Sequence, residues 1–178
     1  MALLRLKIDG YGQIEPNNVT FTRDGRVEAQ CALADGVTAE NGMLLAVDVA
    51  NRKVQLPVED ETLPVALHYS TEKIYNQATP GLKNFKLTNK DGYPRMGYLT
   101  LGEVFTTNCV CYDNGEFKDD AAAKEAIAKA GTTALYGGIS TEGAIKISAT
   151  KPTTGPVLKV AKATTMPDGQ YAVEFHVQ

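Results

Sequence analysis

The most hydrophobic segment of the chain, "GMLLAVDVANRKVQLP" at residues 42–57, is apolar on both faces from Met43 to Val49. Ala50-Asn51-Arg52 interrupts it, Lys53 to Leu56 resumes it and Pro57 stops it. The segment therefore predicts a strand, a polar turn and a second strand. Elsewhere the hydrophobic period is two, as in a half-buried strand. Tyr171, Val173, Phe175 and Val177 alternate with Ala172, Glu174 and His176, and in "GAIKISA" Ile145, Ile147 and Ala149 oppose Lys146 and Ser148. "NFKLT" and "EVFTTNCVCY" are further strand candidates; the second places Phe105, Thr107, Cys109 and Cys111 on one face.

Turn signals separate these runs. Asp-Gly occurs at 9–10, 24–25, 35–36, 91–92 and 168–169, and Asn-Gly at 41–42 and 114–115. Both pairs favour tight turns because their residues tolerate positive φ. Two hairpins follow: Val19–Arg23 with Arg26–Leu33 around Asp24-Gly25, and Val157–Thr165 with Tyr171–Val177 around Pro167-Asp168-Gly169. Hairpins joined by short turns predict a mainly β fold, an antiparallel β-barrel or sandwich.

One segment departs from this rhythm. "DDAAAKEAIAKAG" predicts a single short α-helix at about 119–130, capped by Asp119 or Asp120, with Asp120–Lys124 and Glu125–Lys129 four residues apart and Gly131 at its C-terminal turn. Ile127 is its one large apolar residue, so the helix is expected to dock lightly on the sheet, within an excursion spanning 113–138. "PVEDETLP" at 57–64 is acidic and bracketed by prolines. Hairpin signals continue on both sides of it, so it is expected to be a surface loop within a single domain covering 1–178.

Composition narrows the function. The net charge of −3 and pI near 5.4, without any Lys/Arg run, argue against a nucleic-acid or anionic-membrane surface. "MALLRL" lacks a long apolar core and cleavage site, and no window approaches the roughly 20 apolar residues of a bilayer span. Synthesis and folding in a cytoplasm are the expectation. Cys31, Cys109 and Cys111 make no disulfide framework and read as small buried hydrophobes.

Catalytic chemistry is scarce. The two histidines, His68 and His176, each sit on the polar face of an alternating strand and read as surface or structural residues. No Walker loop or dinucleotide fingerprint occurs, and "DGYG" at 9–12 reads as a turn. Glu59-Asp60-Glu61 lacks the spaced ligands of a calcium loop, and the cysteines and histidines lack a zinc spacing. No catalytic residue, metal or cofactor is expected. A carbohydrate-binding β module stays open, although the absence of tryptophan counts against it.

Two segments read as contact surface. "DGYPRMGYLTL" at 91–101 crowds Tyr93, Arg95, Met96 and Tyr98 into a Gly/Pro-containing loop, and these residue types are enriched in interface centres. "MALLRLKI", with Leu3, Leu4 and Arg5, reads as a first strand or as an arm that adds to a neighbour's sheet edge.

In texture, "LGEVFTTNCV", the hairpin "NGMLLAVDVANRKVQLP" and the ending "GPVLKVAKATTMPDGQYAVEFHV" resemble the small β-rich structural proteins of tailed bacteriophages, most closely head decoration (cement) proteins. The resemblance implies a non-enzymatic virion protein on the outer capsid surface. Its partners would be the major capsid protein or neighbouring virion subunits, with a homo-oligomer allowed and no nucleic acid or membrane. A tail or baseplate subunit is the alternative within virions. The helical segment matches no part of that pattern.

Overall fold

A computed structural model describes residues 2–21, 31–70 and 82–178. In chain order the strands are β1 (Leu3–Arg5), β2 (Ile14–Asn18), β3 (Ala32–Leu33), β4 (Thr38–Ala39), β5 (Leu44–Asp48), β6 (Lys53–Gln55) and β7 (Val65–His68). After a 3₁₀ turn at Leu82–Asn84 come β8 (Leu87–Thr88), β9 (Met96–Gly97), β10 (Val104–Thr107) and β11 (Val110–Asp113). Helix α1 (Asp120–Ala128) precedes β12 (Tyr136–Gly138), β13 (Ile145–Ser148), β14 (Leu158–Thr165) and β15 (Tyr171–Val177).

Eight strands form one sheet in the order β1-β11-β13-β12-β14-β15-β10-β2, curled into a half-barrel. Five form a second sheet, β3-β6-β5-β7-β9, and β4 pairs with β8. The mainly β expectation of a barrel or sandwich with one short helix holds. The sheets are nevertheless mixed: β11–β13 and β3–β6 are parallel pairs. The reason for the first is topological. The chain between β11 and β13 runs through α1 and β12, long enough for the crossover that parallel neighbours need.

Two hydrophobic cores result. The first lies inside the curled sheet and gathers Phe105, Val110, Tyr112, Ile127, Ile145, Ile147, Leu158, Val160, Val173 and Phe175. The second gathers Leu33, Met43, Leu45, Val47, Val54, Ala66, Tyr98, Cys109 and Cys111. The hairpin β5–β6 is antiparallel as predicted. Its apolar run at 43–47 has a physical cause: Leu44 belongs to the first core, whereas Leu45 and Val47 belong to the second.

The closing hairpin β14–β15 also forms, with Gly169 at φ +84° in its turn. A bulge between Val160 and Lys162 shifts the register so that Ala163 pairs with Val173. Asp119 caps α1 by accepting from the Ala122 amide at 2.8 Å, and Lys129 pairs with Glu125. Ala123 and Ile127 are fully buried under the helix. Asp120 does not meet Lys124 but accepts from the Tyr112 hydroxyl.

Several sequence expectations change. "EVFTTNCVCY" is not one strand: it breaks at Asn108-Cys109 into β10 and β11. Side-chain parity inverts there, so Phe105 enters the first core while Cys109 and Cys111 enter the second. The Thr107 hydroxyl fixes the break, donating to the Gln13 carbonyl and accepting from the Cys109 amide. The excursion at 113–138 ends sooner than expected, because Tyr136–Gly138 is a strand inserted between β13 and β14. "NFKLT" yields only the two-residue β8 after the 3₁₀ turn. Segment 57–64 is a loop connecting β6 and β7, both of which flank β5 in the same sheet. Of the hairpin expected from Val19–Arg23 and Arg26–Leu33, residues 22–30 lie outside the described residues, while Ala32–Leu33 forms β3 and pairs parallel with β6.

Gly131 does not adopt the left-handed conformation, whereas Gly42 does, at φ +87°, with Thr107 against the place a Cβ would take. Gly131→Ala is therefore expected to leave the melting temperature unchanged or raise it, by up to about 1 kcal/mol of stability. Gly42→Ala is expected to cost about 2 kcal/mol or more through strain and clash. Thermal denaturation of both variants checks the contrast.

Candidate functional site

The polar side chains best suited to chemistry are gathered where β1, β5, β7 and β11 approach one another. Glu40 stands just before the Asn41-Gly42 turn, and its carboxylate takes both ends of the Arg5 guanidinium, at 2.9 Å for Nη1 and 2.5 Å for Nη2. The Gly12 amide donates to the same carboxylate at 2.6 Å. Burial opposes the Arg5 charge, but the hydrogen bond and field of Glu40 outweigh it and the pKa of the guanidinium is raised. Arg5 Nη2 also reaches Cys109 Sγ at 3.5 Å. That thiol stays protonated, because burial pushes it up to about 12, and burial does the same to Cys111.

His68 is fully buried on β7, not on a solvent face as its alternation predicts. Its Nδ1 donates to the Glu40 carbonyl at 2.7 Å, which leaves Nε2 to accept from the Ser70 hydroxyl at 2.9 Å. Ser70 Oγ in turn accepts from the Arg95 amide, and the Ser70 amide donates to Asn41 Oδ1. The ring is orientated by a backbone carbonyl, and burial lowers its pKa to about 4. Such a ring holds segments together in its neutral form. It is a satisfied structural histidine and not a surface one. His176 is half-exposed beside Glu174.

Glu103 plays a second tying role. Its buried carboxylate accepts from the amides of Thr20, Phe21 and Thr100 and from the Thr20 hydroxyl. Burial works to raise its pKa, yet these donors lower it. In the acidic loop, Glu61 accepts from the Val58 and Leu63 amides and so closes the loop on itself, while Glu59 and Asp60 face solvent. Among the described residues no group of His, Cys, Asp and Glu is arranged to hold a metal ion.

Open surface lies elsewhere. A groove of about 610 Å³ runs over the outer face of the half-barrel, with Tyr136, Gly138, Lys146 and Ser148 from β12 and β13 on its floor. The 150–154 loop, including Lys151 and Pro152, walls one side, and Leu3, Val58 and Glu59 contribute elsewhere to its lining. Lys146 stands 3.9 Å from Asp113, a loose pair that leaves both groups able to take another partner. Sequence patterning flags only the floor of this groove, through the outward Lys146 and Ser148. The "TKPTTGP" wall carries no periodic signal.

The residues predicted as contact surface fall into three settings. Tyr93 (62 % exposed) and Arg95 project into solvent, and Leu101 beyond them is 82 % exposed. Met96 is half-buried against the second core, and Tyr98, only 7 % exposed, belongs to it. Tyr98 is therefore a packing residue. Leu3 packs against the second core, Arg5 is committed to Glu40, and Leu4 is 40 % exposed. Within "MALLRLKI", Leu3–Arg5 forms the first strand of the sheet, β1, which pairs along one side with β11 of the same chain.

Comparison with protein-family models, with curated proteins and with solved structures finds no match to this chain.

The lowered pKa of His68 has a definite sign. The unfolded chain binds a proton below about 6.5 that the folded chain refuses until about 4. The resulting stability is complete above pH 6.5 and is lost as pH falls toward 4, by up to about 3 kcal/mol. Denaturant midpoints between pH 4.5 and 7 are expected to rise with pH in the native protein. The slope is expected to flatten in His68→Gln.

Proposed function

We propose that the protein is a non-enzymatic structural subunit of a phage virion that binds and stabilises the outer surface of the capsid. One observation carries this reading over an enzymatic one. The groups with chemical potential, Glu40, His68, Ser70, Cys109 and Glu103, are buried and engaged with one another or with backbone. Among the described residues the large exposed apolar side chains, Leu4, Val49, Val58, Tyr93 and Leu101, stand at loops and at a sheet edge. A protein that spends its polar chemistry on rigidity and its outer apolar groups on contact is suited to binding. Modest sites of this kind become effective when repeated on a symmetric lattice.

The buried thiols suit a part that folds without oxidative help. On this reading the exposed pair Tyr93 and Arg95 contributes to the shell contact, a ring and a cation being common interface anchors.

A second reading has its own observation. The groove floored by Tyr136, Lys146 and Ser148 combines an aromatic ring, hydroxyls and a loose ion pair, the ingredients of a glycan site. It would make the protein a carbohydrate-binding β module.

Co-sedimentation with expanded heads, proheads and tails separates these readings. Saturable binding to expanded heads at a fixed ratio per capsomer is the expected result. Binding to tails or to none of the particles would sink the capsid reading, and a glycan-array signal lost in Tyr136→Ala would favour the second. The double variant Tyr93→Ala/Arg95→Ala is expected to weaken head binding at least about tenfold, which is about 1.4 kcal/mol, without lowering the melting temperature. Tyr98 is left in place because its removal would damage the second core.

A further inference from the structure

β1 stands at one end of the eight-stranded sheet. Its inner side is fixed at even-numbered residues: the Leu6 amide donates to the Val110 carbonyl at 2.9 Å, and the Asn114 amide donates to the Ala2 carbonyl at 3.1 Å. Because an antiparallel ladder uses alternate residues, the N–H and C=O groups of Leu3 and Arg5 face away from the sheet. The next odd residue is already closed, since the Lys7 amide donates to the Asp120 carboxylate at 2.9 Å. No described strand pairs with Leu3 or Arg5 on that outer side.

The other sheet ends are blunted in familiar ways. β2 carries Pro16, which has no donor, among Glu15, Asn17 and Asn18. β3 and β9 are only two residues long. β1 is three residues long and carries no proline. Its most exposed side chain is Leu4, and its one charge, Arg5, is turned back onto Glu40.

We propose that β1 pairs antiparallel with β1 of a second copy of this chain, about a two-fold axis passing through Leu4. The register follows from the free groups. Centred on Leu4, Leu3 of each copy exchanges both of its hydrogen bonds with Arg5 of the other, so that every outward group of the strand is used. Leu4 then faces its own copy in the non-hydrogen-bonded position, where side chains approach most closely. Sliding by one residue sets outward groups against inward ones. Re-centring on Arg5 opposes two cations and sets Leu3 against Lys7, whose amide Asp120 already holds.

The contact is isologous and closes on itself, so it makes pairs and not fibres. It is also small. One short strand per copy buries far less than a standard stable interface of about 1,600 Å². Association is therefore weak between free molecules and strengthens when copies are held close together, as on any repeating surface. This inference does not depend on the capsid reading.

Leu4→Cys provides the sharpest test, because the non-hydrogen-bonded position brings the two Cα atoms within disulfide range. The native cysteines are buried and leave the background low. Under a mild oxidant Leu4→Cys is expected to form a covalent dimer at least about tenfold faster than Tyr93→Cys, a more exposed control that reports random collision. Sedimentation of the native protein is expected to show mass rising toward the dimer between micromolar and millimolar concentration. Leu4→Lys is expected to remain monomeric with an unchanged melting temperature. A native protein that stays monomeric throughout, a Leu4→Lys variant that still dimerises, or equal cross-linking of the two cysteine variants would each overturn the proposal.

Discussion

A carboxylate withdrawn from water must be given back its hydrogen bonds, and Glu40 obtains them from segments far apart in the chain. Arg5 grips it from β1 and the Gly12 amide from the following loop, while its own carbonyl receives the His68 ring. The desolvation penalty for such a group is several kcal/mol, offset only when geometry and partners are complete. The demand is therefore mutual. β1 is seated only where Glu40 can hold it, and Glu40 is tolerated only where β1 and β7 have arrived. Gly42, in the left-handed region, lets the chain turn from this carboxylate straight into β5 beneath Thr107.

Around that seam the two cores are interlocked rather than stacked. β5 sends Leu44 one way and Leu45 the other, and β11 divides Val110 and Tyr112 from Cys111 in the same manner. Strands with no solvent face leave little room for catalytic polar groups to reach outside. Exposed apolar residues, by contrast, cost little at loop ends and sheet edges, where they do not disturb either core.

Much of this was legible in the sequence because it depended on local patterns. The period of two over Tyr171–Val177, the apolar run at 43–47 and the Asp-capped, alanine-rich helix each state a local preference that the fold obeys. What escaped depends on partners distant in the chain. His68 alternates like a surface residue, and only the approach of Glu40 and Ser70 makes its burial affordable. The parity inversion at Asn108 is set by the Thr107 hydroxyl meeting Gln13, a pairing that no periodicity announces. Tyr98 sits in a loop of interface-like composition, yet the second core needed its ring. The groove was hidden for a similar reason, since its walls come from segments that carry no regular pattern.

The pairing of β1 with β11 also has a consequence for the order of events at the ribosome. Ala2 meets Asn114 across a separation of 112 residues, so the first strand leaves the exit tunnel long before its neighbour exists. During that interval both of its edges lack a partner strand, and Glu40, 35 residues beyond Arg5, is the first of its native partners to be synthesised. Loop closure over such a span is slow compared with hairpin formation. Strand β1 is thus added late, to a sheet whose hairpin β14–β15 can form locally. Nascent chains crowded on one messenger would expose the same short apolar strand at the same time, each presenting an open edge to the next.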